Sequence, residues 1–176
     1  TIKTTIDNWF AANMTEERTY LSEDSVYCND RGLSSGTGVG QTNTSYNANA
    51  RLSSKKRPDY RCSQINDRFT TSTATKGNKK LTYPVGLITA DETSFAGGML
   101  FVTNNNYLNT AQYYWSLSPG FSNHGNFATI SMYSDGQLNI NGVNSGRGVR
   151  PVLSLKPNSN WKSGNGTASN PYEIKM

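Results

Sequence analysis

The chain reads as an α+β fold in which two short helices and long irregular loops precede a β-rich C-terminal half. Ile2, Ile6, Trp9, Phe10 and Met14 recur at helical spacing near the start. From Tyr83 onward, short apolar runs alternate with Gly, Asn and Pro turn signals. Between them, from Asp30 to Lys80, the pattern fades into Gly, Ser, Thr and basic residues. A length of 176 residues suits one domain, 1–176, with a real core. Only 16% of residues are charged, which argues against a disordered tail, and a chain rich in Asn, Ser, Thr and Gly is no coiled coil or helical bundle.

The elements follow in order. Ile2 to Asn13 is an amphipathic helix, and Thr15-Glu16-Glu17 starts a short turn through Leu21. Gly36, Gly38 and Gly40 lack a preceding apolar strand and a following helix, so they mark a loop rather than a phosphate cradle. Tyr60 and Phe69 are candidate anchors for that region. Pro84 to Ile88 reads as a buried strand. Thr89-Ala-Asp-Glu92 has the form of a capping box opening a helix over Ala90 to Ala96, stopped by Gly97 and Gly98. Asp91 and Glu92 then sit in a first turn, where acids complement the helix dipole; a general-acid role is the alternative. Leu100 to Val102 and Tyr113 to Leu117 are strand-like, and Pro119-Gly120 turns the chain out. Phe127 to Tyr133 and Gln137 to Ile140 flank Asp135-Gly136, a two-residue hairpin signal. Asn141-Gly142 turns again towards a strand from Val149 to Leu155, restricted by Pro151, and Pro171 to Ile174 closes near the N-terminal helix. Trp9, Trp115 and Trp161 read as core or edge-packing residues, with sugar stacking the alternative for Trp161.

The net charge of +5 invites a nucleic-acid reading. The positive residues gather as Arg51, Lys55, Lys56, Arg57 and Arg61, and as Lys76, Lys79 and Lys80, among Ser, Thr, Gly and Pro. They read as solvated loops, since neither a recognition-helix pattern nor interleaved aromatics accompany them, and no nucleic-acid partner is expected. No apolar run approaches the roughly 18 residues of a membrane span, and no signal-peptide-like start is visible, as in a mature portion or excised domain. Cys28 and Cys62 are too few for a structural zinc site, and His124, the single histidine, is remote. The pair reads as one disulfide of an exported protein; two free thiols in a cytosolic protein are the alternative. No metal or cofactor is expected.

A series of motifs carries a resemblance: Cys28-Asn-Asp-Arg31, Tyr83-Pro-Val-Gly-Leu-Ile-Thr-Ala-Asp-Glu92, Tyr114-Trp-Ser-Leu-Ser-Pro119, Gly148-Val-Arg-Pro-Val152 and Gly164-Asn-Gly-Thr-Ala-Ser-Asn-Pro-Tyr172. Over almost the whole chain, this string resembles uncharacterised domains of surface and pilin-like proteins of gut Firmicutes. The Trp-x-x-Ser-Pro block and the closing Val-Arg-Pro strand are also similar to the C-type-lectin-like fold, in the branch of formylglycine-generating enzymes and retroelement-diversified variable proteins. That resemblance implies a stiff β-core displaying long loops. It does not carry over formylglycine chemistry, because no cysteine follows Cys62, nor calcium-dependent sugar binding, because the acid/amide-Pro-Asn loop and Trp-Asn-Asp block are missing.

On such a scaffold, exposed aromatics and amides between the later strands are the candidate ligand residues. They are Asn104, Asn105, Asn106, Tyr107 and Asn109 in one loop, Asn123, His124 and Asn126 in another, and Tyr113 and Tyr133 on one face. The two loops are expected side by side, with Trp115 in the core and Tyr113 on the opposite side. For both loops, plain turn formation is the competing explanation. The leading expectation is a non-enzymatic, adhesin-like binding domain outside the cell, taking a host or bacterial surface glycan or protein. A structural pilin-like spacer that self-associates is one alternative. A glycan hydrolase using Asp91 or Glu92 is the other.

Overall fold

A computed structural model describes residues 1–39, 42–72, 76–167 and 169–175. Gly40 of the glycine-punctuated loop and Ala168 of the last motif lie outside them. The architecture is mixed α and β around a five-stranded antiparallel sheet. Helix α1 (Ile2–Asn13) starts where Thr1 accepts a hydrogen bond from the Thr4 N–H, and it buries Ile6 and Phe10. Strands β1 (Tyr27–Cys28), β2 (Leu33–Ser35) and β3 (Thr44–Tyr46) are short. Helix α2 (Asn47–Ala50) runs into a π turn at Arg51–Lys55, and β4 (Arg68–Phe69) pairs with β1. Helix α3 (Ala90–Phe95) opens on the expected capping box, with Glu92 N–H donating to Thr89 Oγ1 and Thr89 N–H to Glu92 Oε2. Then come β5 (Tyr114–Asn123), β6 (Asn126–Met132), β7 (Leu138–Gly142), β8 (Trp161–Ser163) and β9 (Glu173–Ile174). The sheet order is β2-β3-β5-β6-β7, and β8-β9 forms a separate ladder.

Several expectations need correction. The described residues form three α-helices rather than two: α2 falls in the stretch read as loop, because Ala48 and Leu52 alone are too sparse an apolar signal. The chain does not turn out at Pro119-Gly120. Strand β5 continues to Asn123 through register shifts on either side of Pro119, and such irregularities are where a strand tolerates proline. Leu100–Val102 is a tight turn with Phe101 at φ +63°, joined to Leu138 by a single bridge. Pro84–Ile88 and Val149–Leu155 are extended but meet one another through the Gly86–Val152 bridge instead of joining the sheet. The last strand pairs with β8. Trp161 is 67% exposed against Tyr172, and Trp9 is also exposed.

Both faces of the sheet are covered, by different groups. Tyr114, Ile130, Met132 and Leu138 meet Ala48, Leu52 and Ala90 from α2 and α3. On the other face, Trp115, 5% exposed, meets Ile6 and Phe10 of α1 together with Leu21, Val85 and Leu87. Two cross-links fix the irregular half. One is the Cys28–Cys62 disulfide, which closes a span of 34 residues. The other is Arg51, which is mostly buried rather than solvated. Its guanidinium donates from Nε and Nη2 to both oxygens of Asp91 (3.0 and 2.6 Å) and from Nη2 to Asp30 (2.7 Å). Asp91 Oδ1 also accepts the Asp59 N–H at 2.9 Å.

Two outcomes follow. Arg51→Ala strands the buried Asp91 and the half-buried Asp30 and should destabilise the fold by about 3 kcal/mol in urea unfolding, whereas Arg57→Ala on the exposed part of the same basic cluster should be near neutral. Free-thiol labelling should detect neither cysteine after denaturation alone. Reduction should lower the melting temperature by about 10 °C, as expected for a cross-link worth about 3–4 kcal/mol in a domain of this size.

Candidate functional site

The Asp135-Gly136 turn generates the main cluster of outward-facing functional groups. Gly136 takes φ +84° and donates its N–H to Tyr133 O, while Tyr133 N–H donates to Gln137 O. The register then sets Ser131 opposite Asn139 and Met132 opposite Leu138. Because side chains alternate, Met132 and Leu138 enter the core while Ser131, Tyr133, Asn139 and Asn141 share the other face. Tyr114 pairs with Met132, so Tyr113 falls beside Tyr133; the rings meet edge-to-face at 4.8 Å and 66°. Both tyrosines present their rings on one face, as anticipated. Tyr113 shares that face with Trp115, since residues two apart on a strand point the same way, so its placement opposite Trp115 was wrong. It is exposed, at 40%, because α1 covers Trp115 and not Tyr113.

Arg147 completes the cluster. The loop after β7 returns to β5 through Gly148, whose N–H donates to Tyr113 O and whose carbonyl accepts Trp115 N–H. This sets the Arg147 guanidinium 4.5 Å from the Tyr113 ring centre and 5.0 Å from that of Tyr133. Its Nη2 donates to Asn141 Oδ1 at 2.7 Å, the same oxygen that accepts the Tyr133 hydroxyl at 2.6 Å. Asn141 Nδ2 in turn donates to Ser131 Oγ at 2.8 Å. The Nε of Arg147 is buried and has no partner among the described residues. On the neighbouring position of β5, Tyr114 is buried with Arg150 over its ring at 4.7 Å, and burial raises its phenol above the usual range.

The other candidate residues separate. Asn104 O accepts from Asn106 N–H, and Asn106, which is buried, donates from Nδ2 to Gly136 O at 3.0 Å and accepts Leu108 N–H. A methyl group on Gly136 would meet Asn104 O at 1.9 Å, so loop and hairpin are in direct contact. Asn109 accepts the Ala111 N–H, a turn role. Asn105 and Tyr107 point outward, Tyr107 at 83% exposure. Asn123 pairs with Asn126 across a two-residue turn made by His124 and Gly125, at φ +45° and +86°. Both positive φ values are those of a type I′ hairpin. This second loop therefore caps the far end of β5–β6. At about 3.3 Å per residue it lies roughly 25–30 Å from the Asn104–Asn109 end, so the two loops do not form one face. His124 is exposed at the tip and touches Asn123.

Away from the sheet end, a cavity of about 500 Å³ lies beside the disulfide, walled by Asp30, Arg51, Tyr60, Arg68 and Asp91. Its charges are largely spent internally: Arg51 on Asp91 and Asp30, Arg61 on Asp59, and Arg68 on the Cys62 carbonyl. Tyr60, expected as an internal anchor, is exposed at its lip and stacks on Phe95 at 4.1 Å. Tyr27 separates this cavity from an apolar one of about 430 Å³ beneath α1, and burial pushes its phenol up to about 12. Glu92 serves the capping box and Asp91 the Arg51 pair, so both acids considered for catalysis have structural duties. Among the described residues no group of three His, Cys, Asp or Glu could hold a metal ion. Arg147 and Asn141 were missed in the sequence; an Arg two residues before a Val-Arg-Pro strand carries no local signal of which tyrosines it will meet. No protein-family model, curated protein or solved structure matches the chain.

The division within the Asn104–Asn109 loop is testable. Asn106→Ala should cost about 1–2 kcal/mol in chemical denaturation, because it orphans the Gly136 carbonyl and the Leu108 amide, while Asn105→Ala should leave stability unchanged.

Proposed function

We propose that this chain is an extracellular, non-enzymatic ligand-binding domain of adhesin type, carried by a bacterial surface or pilus protein. The observation behind this reading is the Tyr113–Tyr133–Arg147 cluster. Two aromatic rings and a guanidinium meet on an outward sheet face, beside Asn139 and Asn141, where α1 does not reach. Rigid aromatic surface with adaptable amide hydrogen bonding is the chemistry of recognition surfaces. An N-terminal helix, a disulfide-tied irregular region, the capped helix α3 and a hairpin-built sheet support the C-type-lectin-like scaffold. The disulfide favours an oxidising compartment. No helix among the described residues is long and apolar enough to cross a membrane.

The test is a binding screen against glycans and surface proteins, followed by substitution. Tyr113→Ala should weaken binding at least tenfold with little change in melting temperature, whereas Trp115→Ala should cost roughly 3–5 kcal/mol of stability. Binding that ignores Tyr113 while depending on Asn123 to Asn126 would overturn the site assignment.

One observation favours the structural-spacer alternative. Every residue of the β8–β9 ladder is exposed, and Trp161, Tyr172 and Ile174 give it an apolar surface. Exposed apolar edges of this kind serve self-association. Under that reading, sedimentation shows concentration-dependent assembly that Trp161→Ser abolishes.

A further inference from the structure

Resting on the binding-face reading above, we infer that the ligand class at the Tyr113–Tyr133–Arg147 cluster is an acidic saccharide, whose sugar ring lies on Tyr113 and whose carboxylate is held by Arg147. Among the described residues Arg18, Arg31, Arg51 and Arg61 each lie on a carboxylate, while Arg68 and Arg150 donate to backbone carbonyls. Arg147 lies on neither. Its hydrogen bonds go to Asn141 Oδ1 and the Tyr133 hydroxyl, both neutral, and Nη1 makes none among the described residues. The charge is therefore fixed in place and not neutralised. From Leu100 to Asn160 the chain has one acid, Asp135, against Arg147, Arg150 and Lys156. Asp135 is engaged by Thr103 and Gln137.

Asn141 makes the point sharply. An aspartate there would offer the same acceptor to Arg147 and Tyr133 and would neutralise the guanidinium; the chain has an amide instead, which also donates to Ser131 Oγ. The positive charge thus remains available to an outside anion. A planar guanidinium immobilised against two rings suits a carboxylate, which Nη1 can hold by charge-assisted hydrogen bonds while Nη2 stays on Asn141 and Tyr133. The exposed Tyr113 ring offers a flat surface for sugar C–H groups, and Asn139 supplies amide hydrogen bonding for hydroxyls.

The experiment measures wild-type affinity by calorimetry for sialyllactose against lactose, and for a glucuronate-terminated oligosaccharide against its carboxyl-reduced form. At least one acidic member should bind tenfold or more tighter than its neutral partner, with affinity falling as salt rises. Asn141→Asp, which keeps the acceptor that Arg147 and Tyr133 use, should erase that preference, and Arg147→Lys should reduce it severalfold because the planar group that packs on both rings is lost. Tyr113→Ala should weaken acidic and neutral sugars alike. Neutral and acidic members binding equally in a Tyr113-dependent manner would overturn the acidic-ligand inference and leave the binding face intact. The absence of any Tyr113-dependent saccharide binding would overturn it together with the glycan form of that reading. The wild-type comparison of reduced and unreduced sugar decides the matter even if a variant fails to fold.

Discussion

The Arg51 guanidinium is the constraint on which the irregular half of the molecule depends. It joins the π turn after α2 to Asp30, close to the disulfide, and to Asp91 in the first turn of α3. Asp91 extends the junction by accepting the Asp59 amide. Three separate stretches of a Ser-, Thr- and Gly-rich region thus meet the first turn of α3 at one charged centre. Such a region has too few apolar residues to order itself by burial, so hydrogen-bonded charge and a covalent cross-link take over much of that role. The centre matters most for what it positions: α2 and α3 can only cover their face of the sheet if these loops are held.

With that face covered, β5 can be buried on both sides, and its register with β6 determines the candidate site. Tyr114 against Met132 puts Tyr113 against Tyr133, and the Gly148 bridge delivers Arg147 to both. The same register separates the two asparagine-rich loops to opposite ends of the hairpin. A shift of one residue would turn Tyr113 and Tyr133 inward and Met132 outward, so the core on one face and the recognition surface on the other are specified by the same hydrogen bonds.

Much of this was legible in the sequence wherever the signal is local. The spacing of Ile2, Ile6 and Phe10 gave α1, Thr89 with Glu92 gave the cap of α3, and Asp135-Gly136 marked the β6–β7 turn, although Tyr133 meets Gln137 across three residues, Ser134, Asp135 and Gly136, and not two. Isolation of two cysteines in an Asn- and Ser-rich chain gave their pairing. Non-local pairing was not legible. Arg51 and Asp91 stand forty residues apart, and Arg51 sits among basic neighbours that really are solvated. Pro119 reads as a turn by local preference, yet tertiary pairing carries β5 through it by shifting register. The candidate site was half legible: Tyr113 and Tyr133 were found as outward aromatics, whereas Arg147 and Asn141 reach them only through the Gly148 bridge and the β6–β7 register.

Asparagine is the residue most easily misread in a chain of this composition. Asn106 and Asn109 satisfy backbone groups that would otherwise be orphaned, and Asn123 and Asn126 close a hairpin. An amide is cheap to use this way, because it supplies a donor and an acceptor without the desolvation cost of a charge. The informative asparagine is Asn141, where an acid would have kept the acceptor used by Arg147 and Tyr133 and added an ion pair, at the loss of the amide's donation to Ser131 Oγ. With the amide in place, a half-buried guanidinium is left without a carboxylate. Retaining the charge has a physical use if something outside the chain neutralises it, and the open ring of Tyr113 beside it defines where that partner lies.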